Sequence, residues 1–286
     1  MDKTVILGGS GYIGNNIAKA LSQQGIEVVA LSRKDVDLED SAVAASKLAG
    51  HLLDAENLII CSAITRTSAN DTHSCNKNIT QLQTIITALQ TYLPKRVIYL
   101  SAADVYGHYG SGATESSVLT PQNEYGAFKV FAENMLRINF AAQCKLSVLR
   151  FSGVFGGAQD TSSLIYRLHS SVINNTTISL SNNGLSKRDF VPVTLLAEVI
   201  TQLVRCNTDG TFNVSTGQEL NIVDLVSSIE HSCDKKAVLN LISDKSDRDF
   251  DLSLDNSKLI SHFPTLCIPN LHDALAHFLC ELPHER

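Results

Sequence analysis

Short apolar blocks alternate with stretches of helical period along the first half of the chain. Thr4 to Leu7 is one such block, and Gly8 bounds it. Ile17, Ala20 and Leu21 share one face of a helix running from Gly14 to Gln24, which Gly25 stops. Ile26 to Leu31 is the next strand, so the chain opens as β-α-β. Leu58 to Cys61 is a further apolar run, and Asn78 to Leu93 reads as a helix closed by Pro94. Arg96 to Leu100 is a strand ending at Ser101. Tyr125 to Asn139 is a helix, and Leu146 to Phe151 is the strand after it. Strands alternating with helices predict a parallel, doubly wound sheet. Beyond Phe151 the alternation loosens into Gly-, Ser- and Asn-rich loops at 152–163 and 181–186.

Composition narrows the class without naming it. The 286 residues are 44% hydrophobic and 18% charged, ordinary for a globular protein with a full core. A net charge of −6 with no long basic cluster argues against nucleic acid or an anionic membrane as partner. No apolar run reaches bilayer-spanning length, and the N-terminus enters a strand and a Gly turn at once, which predicts no signal peptide. The seven cysteines are scattered and form no C-x-x-C, and the histidines show no H-x-x-x-H. Free thiols in the cytoplasm and no metal are expected.

Two motifs carry chemistry. The Gly8-Gly9-Ser10-Gly11-Tyr12-Ile13-Gly14 turn joins the first strand to the first helix, as a pyrophosphate site requires. Gly8 permits the tight turn, Gly11 lets backbone approach phosphate, and Gly14 lets the helix pack close. Far downstream, Tyr125 and Lys129 stand four apart on one helix face. A phenol beside an ammonium is suited to moving a proton while a dinucleotide moves a hydride. The ammonium and an oxidised nicotinamide are expected to pull the phenol down from its ordinary pKa of about 10.

At the end of the second strand the sequence reads Leu31-Ser32-Arg33-Lys34, with no acidic residue to bond a ribose 2′-hydroxyl. Ser32 and Arg33 suit a 2′-phosphate, so NADP is the expected coenzyme. The alternative is NAD, with Arg33 and Lys34 solvated and Asp35 or Asp37 taking the ribose.

With these motifs stand Leu100-Ser101-Ala102-Ala103-Asp104-Val105-Tyr106-Gly107, Val148 to Gly156, Lys187-Arg188-Asp189-Phe190-Val191 and Gly210 to Val214. In that order they resemble the SSxxVYG, LRxxNVYG, RRDFVHV and GxYNV segments of the extended short-chain dehydrogenases/reductases, the NAD-dependent epimerase/dehydratase family that modifies nucleotide sugars. The resemblance runs over nearly the whole chain. It implies an α/β fold: a Rossmann-like doubly wound parallel sheet over residues 1–150, and a smaller C-terminal substrate-binding lobe over 151–286, with segments near 190–214 returning to the first domain. It implies a nucleotide-sugar substrate and leaves a homodimer open. The coenzyme residues it implies are Gly8, Gly11, Tyr12, Ile13, Gly14, Ser32, Arg33, Asp37, Leu38, Ser62, Ala63, Tyr125 and Lys129. Asn78 matches a family Asn of structural role. Arg188 matches an Arg that grips the substrate diphosphate, and Arg248 resembles a second; Tyr125 also meets the substrate. The few residues between Arg33 and Asp37 are similar to the short form in dTDP-4-dehydrorhamnose reductases and GDP-fucose synthases, both NADP-using ketoreductases.

Five positions depart from the pattern. The family's substrate-bonding Ser or Thr falls on Ala102, and Ser101, one residue earlier, should point the other way. Ser101 completes a catalytic set with Tyr125 and Lys129 only if the strand end twists or bulges. Otherwise Ser62, Thr65 or a water replaces the hydroxyl, or the protein binds without much turnover. Ala102-Ala103-Asp104 also lacks the Thr-Asp-Glu of the dehydratases, which argues against expulsion of water. Phe128 and Gly153 replace a common Ser and Asn. The expected activity is NADP-dependent reduction of a keto group, at C4, of a nucleotide-linked deoxysugar. A C4 epimerase with retained coenzyme and a coenzyme-sensing binding protein are the alternatives.

Overall fold

The computed structural model describes residues 3–66, 68–157, 163–245 and 250–282. In chain order the strands are β1 (Thr4–Leu7), β2 (Val28–Leu31), β3 (Asn57–Ile60), β4 (Arg96–Leu100), β5 (Gly110–Ala113), β6 (Lys145–Arg150), β7 (Gly153–Phe155), β8 (Ile178–Leu180), β9 (Lys187–Pro192), β10 (Gly210–Asn213), β11 (Glu219–Asn221), β12 (Leu239–Leu241) and β13 (Leu252–Leu254). The helices are α1 (Tyr12–Gln23), α2 (Ser41–Leu52), α3 (Thr72–Thr91), α4 (Glu124–Phe140), α5 (Leu164–Ile173), α6 (Val193–Arg205), α7 (Ile222–Cys233), α8 (Ser257–His262) and α9 (Leu271–Glu281).

The chain divides into two compact units. The first comprises 1–107, 118–150 and 196–212. Its sheet has the order β10-β6-β4-β3-β1-β2, with β2, β1, β3, β4 and β6 pairing in parallel. These strands are almost wholly apolar because both faces are covered. One face packs Val5, Leu7, Leu58, Ile60, Val97, Tyr99 and Val148 against α2, α3 and the Phe128, Ala132, Leu136 and Phe140 stripe of α4. The expected α/β, Rossmann-like parallel sheet is what the chain forms.

The second unit comprises 108–117, 151–195 and 213–286. It holds a sheet of order β11-β9-β13-β5, with β7 on β9, and a β12-β8 pair. Phe155, Phe190, Ile165, Leu168, Leu225, Ile229, Leu275 and Phe278 fill its core.

Some elements differ from the hydrophobic pattern. Helix α3 begins at Thr72, six residues before the expected Asn78, because Asp71 caps it by accepting from the Ser74 amide at 2.8 Å. Helix α1 begins at Tyr12 rather than Gly14, and β2 is shortened to Val28–Leu31. Helix α2 was not expected at all. The 181–186 loop contains a tight 3₁₀ turn in which Asn182 and Asn183 take φ of 49° and 51°.

Candidate coenzyme and proton-transfer site

Gly8 takes φ +78°, and a Cβ there would lie 3.0 Å from the Ser62 amide nitrogen. Gly14 leaves no room for a side chain: its Cβ would stand 2.3 Å from the Gly8 carbonyl oxygen and 2.9 Å from Gly9 Cα. Gly9, which the motif reading passed over, faces Ala30, whose Cβ would be 2.6 Å away. A Cβ on Gly11 would meet only the Gly8 oxygen at 3.3 Å, so the turn itself tolerates more there than at Gly14. Gly11 is the N-cap of α1 and offers no side-chain hydrogen bond. No side chain therefore caps the start of α1, the end of a helix that suits a pyrophosphate.

Gly14→Ala is expected to destabilise the first unit by about 1–3 kcal/mol and to weaken dinucleotide binding more than about tenfold, since the blocking atoms are backbone. A thermal melt and a calorimetric titration check both. Unchanged affinity would remove the turn from the site.

The loop after β3 closes the other side. Asn78 accepts from the Ile64 amide at 2.8 Å and donates to the Ile64 carbonyl at 3.0 Å, fixing the 61–66 segment to α3. Ala63 packs on the core, while the buried Ser62 hydroxyl has no hydrogen-bond partner among the described residues. An orphaned buried hydroxyl beside a glycine cradle and an uncapped helix start fit a dinucleotide.

At the end of β2 the donors are engaged by carboxylates. Ser32 donates its amide and hydroxyl to Asp35 Oδ2 at 2.8 and 2.6 Å, which holds the Asp35 carboxyl below its ordinary range. Arg33 reaches Glu39 Oε1 at 2.5 Å and Asp37 Oδ1 at 3.4 Å. Leu38 is buried.

Tyr125, Lys129 and Glu133 lie at successive i, i+4 positions of α4. The buried Lys129 Nζ donates to the Leu100 carbonyl at 2.5 Å and stands 4.6 Å from the Tyr99 ring and 5.5 Å from the Tyr125 ring. Burial pulls Lys129 down to about 8, with Cys61, Glu133 and Asp104 opposing. The neighbouring Cys61 thiol is pushed up to about 12 by burial. The Tyr125 phenol is raised, by burial first and then by the Asp104 carboxylate, while Arg66 pulls it down. The lowered phenol pKa expected from the sequence is thus not found in the free protein, where the Lys129 ammonium serves the Leu100 carbonyl.

Ser101 does not turn toward a substrate through a bulge. Its amide continues the ladder to the Leu149 carbonyl at 2.8 Å, and its hydroxyl donates to Glu133 Oε1 at 2.5 Å. Glu133 also accepts from Arg150 at 3.0 and 2.6 Å, and Arg150 donates to the Tyr106 hydroxyl at 3.0 Å. Ser101, Glu133, Arg150 and Tyr106 are all buried.

Asp104 is gripped by Arg66 Nη1 at 3.0 Å and by Asn123 Nδ2 at 3.1 Å, both at Oδ1. Asn123 caps α4 by accepting from the Gly126 amide at 2.8 Å, and Asn70 accepts from the Tyr125 amide at 3.4 Å. The start of the tyrosine helix is therefore tied to both flanking loops. Sequence reading missed Arg66, Asn70 and Asn123. Asn123, two residues before the tyrosine and opening a helix, was a readable cap signal.

In the second unit, Arg188 lies on β9 and donates to the Lys187 carbonyl at 2.9 Å and to the Phe250 carbonyl. Its guanidinium stands 4.5 Å from the Phe250 ring, which stacks on His108 at 4.2 Å. Arg248 lies outside the described residues. The adjacent Asp189 is buried and pushed up to about 7 by that burial, with Ser215 and Thr216 donating to it. All seven cysteines are free thiols. Among the described residues, no group of three or more His, Cys, Asp or Glu could hold a metal, and no helix is long and apolar enough to cross a membrane.

The family model for the NAD dependent epimerase/dehydratase family matches residues 4–215. The chain belongs to that family. Its similarity to a dTDP-D-glucose 4,6-dehydratase of Dictyostelium discoideum is 22% identity over 268 residues, covering 80% of this chain and 62% of the relative. The chain thus spans less than two thirds of that relative. A dTDP-6-deoxy-L-talose 4-dehydrogenase (NAD(P)(+)) of Kitasatospora kifunensis is 28% identical over 240 residues, with 75% of this chain and 74% of the relative covered. The solved structure of MoeE5 in complex with UDP-glucuronic acid and NAD superimposes with a TM-score of 0.84 at 21% identity, covering 97% of both chains.

Proposed function

We propose that the protein is an NADP-dependent ketoreductase of a nucleotide-linked sugar, with Tyr125 as general acid. The observation that carries this reading is the placing of Tyr125 and Lys129 on one face of α4, with Lys129 Nζ 5.5 Å from the Tyr125 ring. Lys129, four residues on, would leave the Leu100 carbonyl to hold a coenzyme ribose and stabilise the tyrosinate left behind. Bound at the glycine cradle, a nicotinamide coenzyme would supply the hydride. Gly8, Gly11, Tyr12, Ile13, Gly14, Ser62 and Ala63 would hold its pyrophosphate and adjoining ribose, and Asp37 and Leu38 its adenosine. Ala102, Ala103 and the doubly held Asp104 do not supply the acid and base that expulsion of water needs. The second unit is the proposed substrate lobe, with Arg188 as donor to the diphosphate. The 28% identical relative is a 4-dehydrogenase of a dTDP-deoxysugar, which agrees with chemistry at C4.

One observation favours a second reading, a C4 epimerase with retained NAD. Asp35 folds back onto Ser32 at the end of β2, where a ribose-bonding carboxylate would stand. The test is oxidation of NADPH on addition of nucleotide-linked 4-ketosugars. Steady oxidation is expected. Its absence, together with NAD retained through purification and interconversion of C4 epimers, would replace the first reading by the second.

A further inference from the structure

The turn after β2 and helix α3 bring two cations to one carboxylate. Glu39 bridges two cations from different elements. Its Oε1 lies 2.5 Å from Arg33 Nη2 and its Oε2 lies 3.3 Å from Lys77 Nζ. One carboxylate with each oxygen on a separate cation is the arrangement a phosphate adopts between a guanidinium and an ammonium. A phosphate has three terminal oxygens and more charge, so it satisfies the same pair better. The exposures run the same way. Arg33 and Lys77 side chains are 67% and 38% exposed, while Glu39 is 24% exposed. Arg33 also meets the exposed Asp37 at 3.4 Å, so an arriving ligand meets half-exposed cations whose carboxylate partners are both near the surface. Ion pairs this exposed are weak, so displacement of the carboxylate costs little. Ser32 repeats the pattern, its amide and hydroxyl both held by Asp35.

We propose that Lys77 is the second cation of a 2′-phosphate site centred on Arg33, and that Glu39 fills the site as a competing carboxylate until the phosphate displaces it. The proposal rests on the NADP reading and deepens it. Preference between the two coenzymes is then set by a balance of cations against carboxylates. Lys77 stands far from Arg33 in sequence, and only the packing of α3 brings it to the turn.

Dissociation constants for NADPH and NADH, measured by calorimetry on the full chain, test this with Arg33→Met, Lys77→Met and Glu39→Gln. Lys77→Met should weaken NADPH about fivefold and NADH less than about twofold. Glu39→Gln should tighten NADPH about threefold and leave NADH unchanged. The NADPH constant of the native chain should also weaken more steeply with salt than that of NADH. If Lys77→Met acts equally on both coenzymes or on neither, or if Glu39→Gln weakens NADPH, the inference is overturned while an Arg33-dependent preference would still uphold the NADP reading. If the native chain binds both coenzymes equally and Arg33→Met changes nothing, the NADP reading falls and takes this inference with it.

Discussion

Tyr125→Phe is expected to abolish measurable turnover while leaving coenzyme affinity within about twofold of native. The substitution removes one oxygen and keeps the ring that stands 5.5 Å from Lys129 Nζ. A positioned acid contributes roughly 10²- to 10⁴-fold to a rate, and no other phenol or imidazole on α4 can take its place. Under the proposed function, the pH profile of the native chain gives the same assignment a second readout. Lys129 sits at about 8 in the free protein because it is buried. Its charge is present below that value and lost above it, so kcat/KM should be flat on the acid side and fall as pH rises through about 8. Steady-state kinetics with NADPH and a responsive ketosugar measure both effects. Residual activity within about threefold of native would remove Tyr125 from the proton transfer.

Glu133→Ala is expected to be the most destabilising single change in the first unit. It leaves the Arg150 guanidinium buried with its carboxylate gone and strips the Ser101 hydroxyl of its acceptor. Breaking a buried pair in this way costs about 3–5 kcal/mol. Replacing both partners, as in Glu133→Leu with Arg150→Met, should recover most of the loss, because neither charge then remains to be desolvated. Urea denaturation of the three chains decides the matter. A single-variant loss below about 1 kcal/mol would mean that water reaches the pair.

Much of the first unit was legible because its signals are local. The glycine turn lies in seven consecutive residues, and Tyr125 and Lys129 share one helical face by spacing alone. The start of α3 lies six residues before the expected Asn78 because it is set by Asp71, a polar cap that the apolar pattern does not report. Helix α2 was missed because its alanines give no clear apolar stripe. The fate of the Ser101 hydroxyl was not legible at all. It depends on Glu133, 32 residues away on a helix packed behind the strand, and on Arg150 in the strand beyond. The β5–β13 pairing joins Gly110 to Leu252, a distance along the chain at which sequence pattern carries no information about partners.

The first unit is assembled from three separated stretches of chain, and the order of synthesis therefore matters to it. Strand β6 ends at Arg150, but its outer neighbour in the sheet, β10, begins at Gly210. A ribosome adding about 5–20 residues per second takes several seconds to cover that gap. During that time the β6 edge presents unpaired amides and carbonyls to whatever other chains are near. A nascent chain of this protein therefore passes through an interval in which holdase chaperones have a sticky strand to shield, and the interval closes only when the segment around Phe212 emerges.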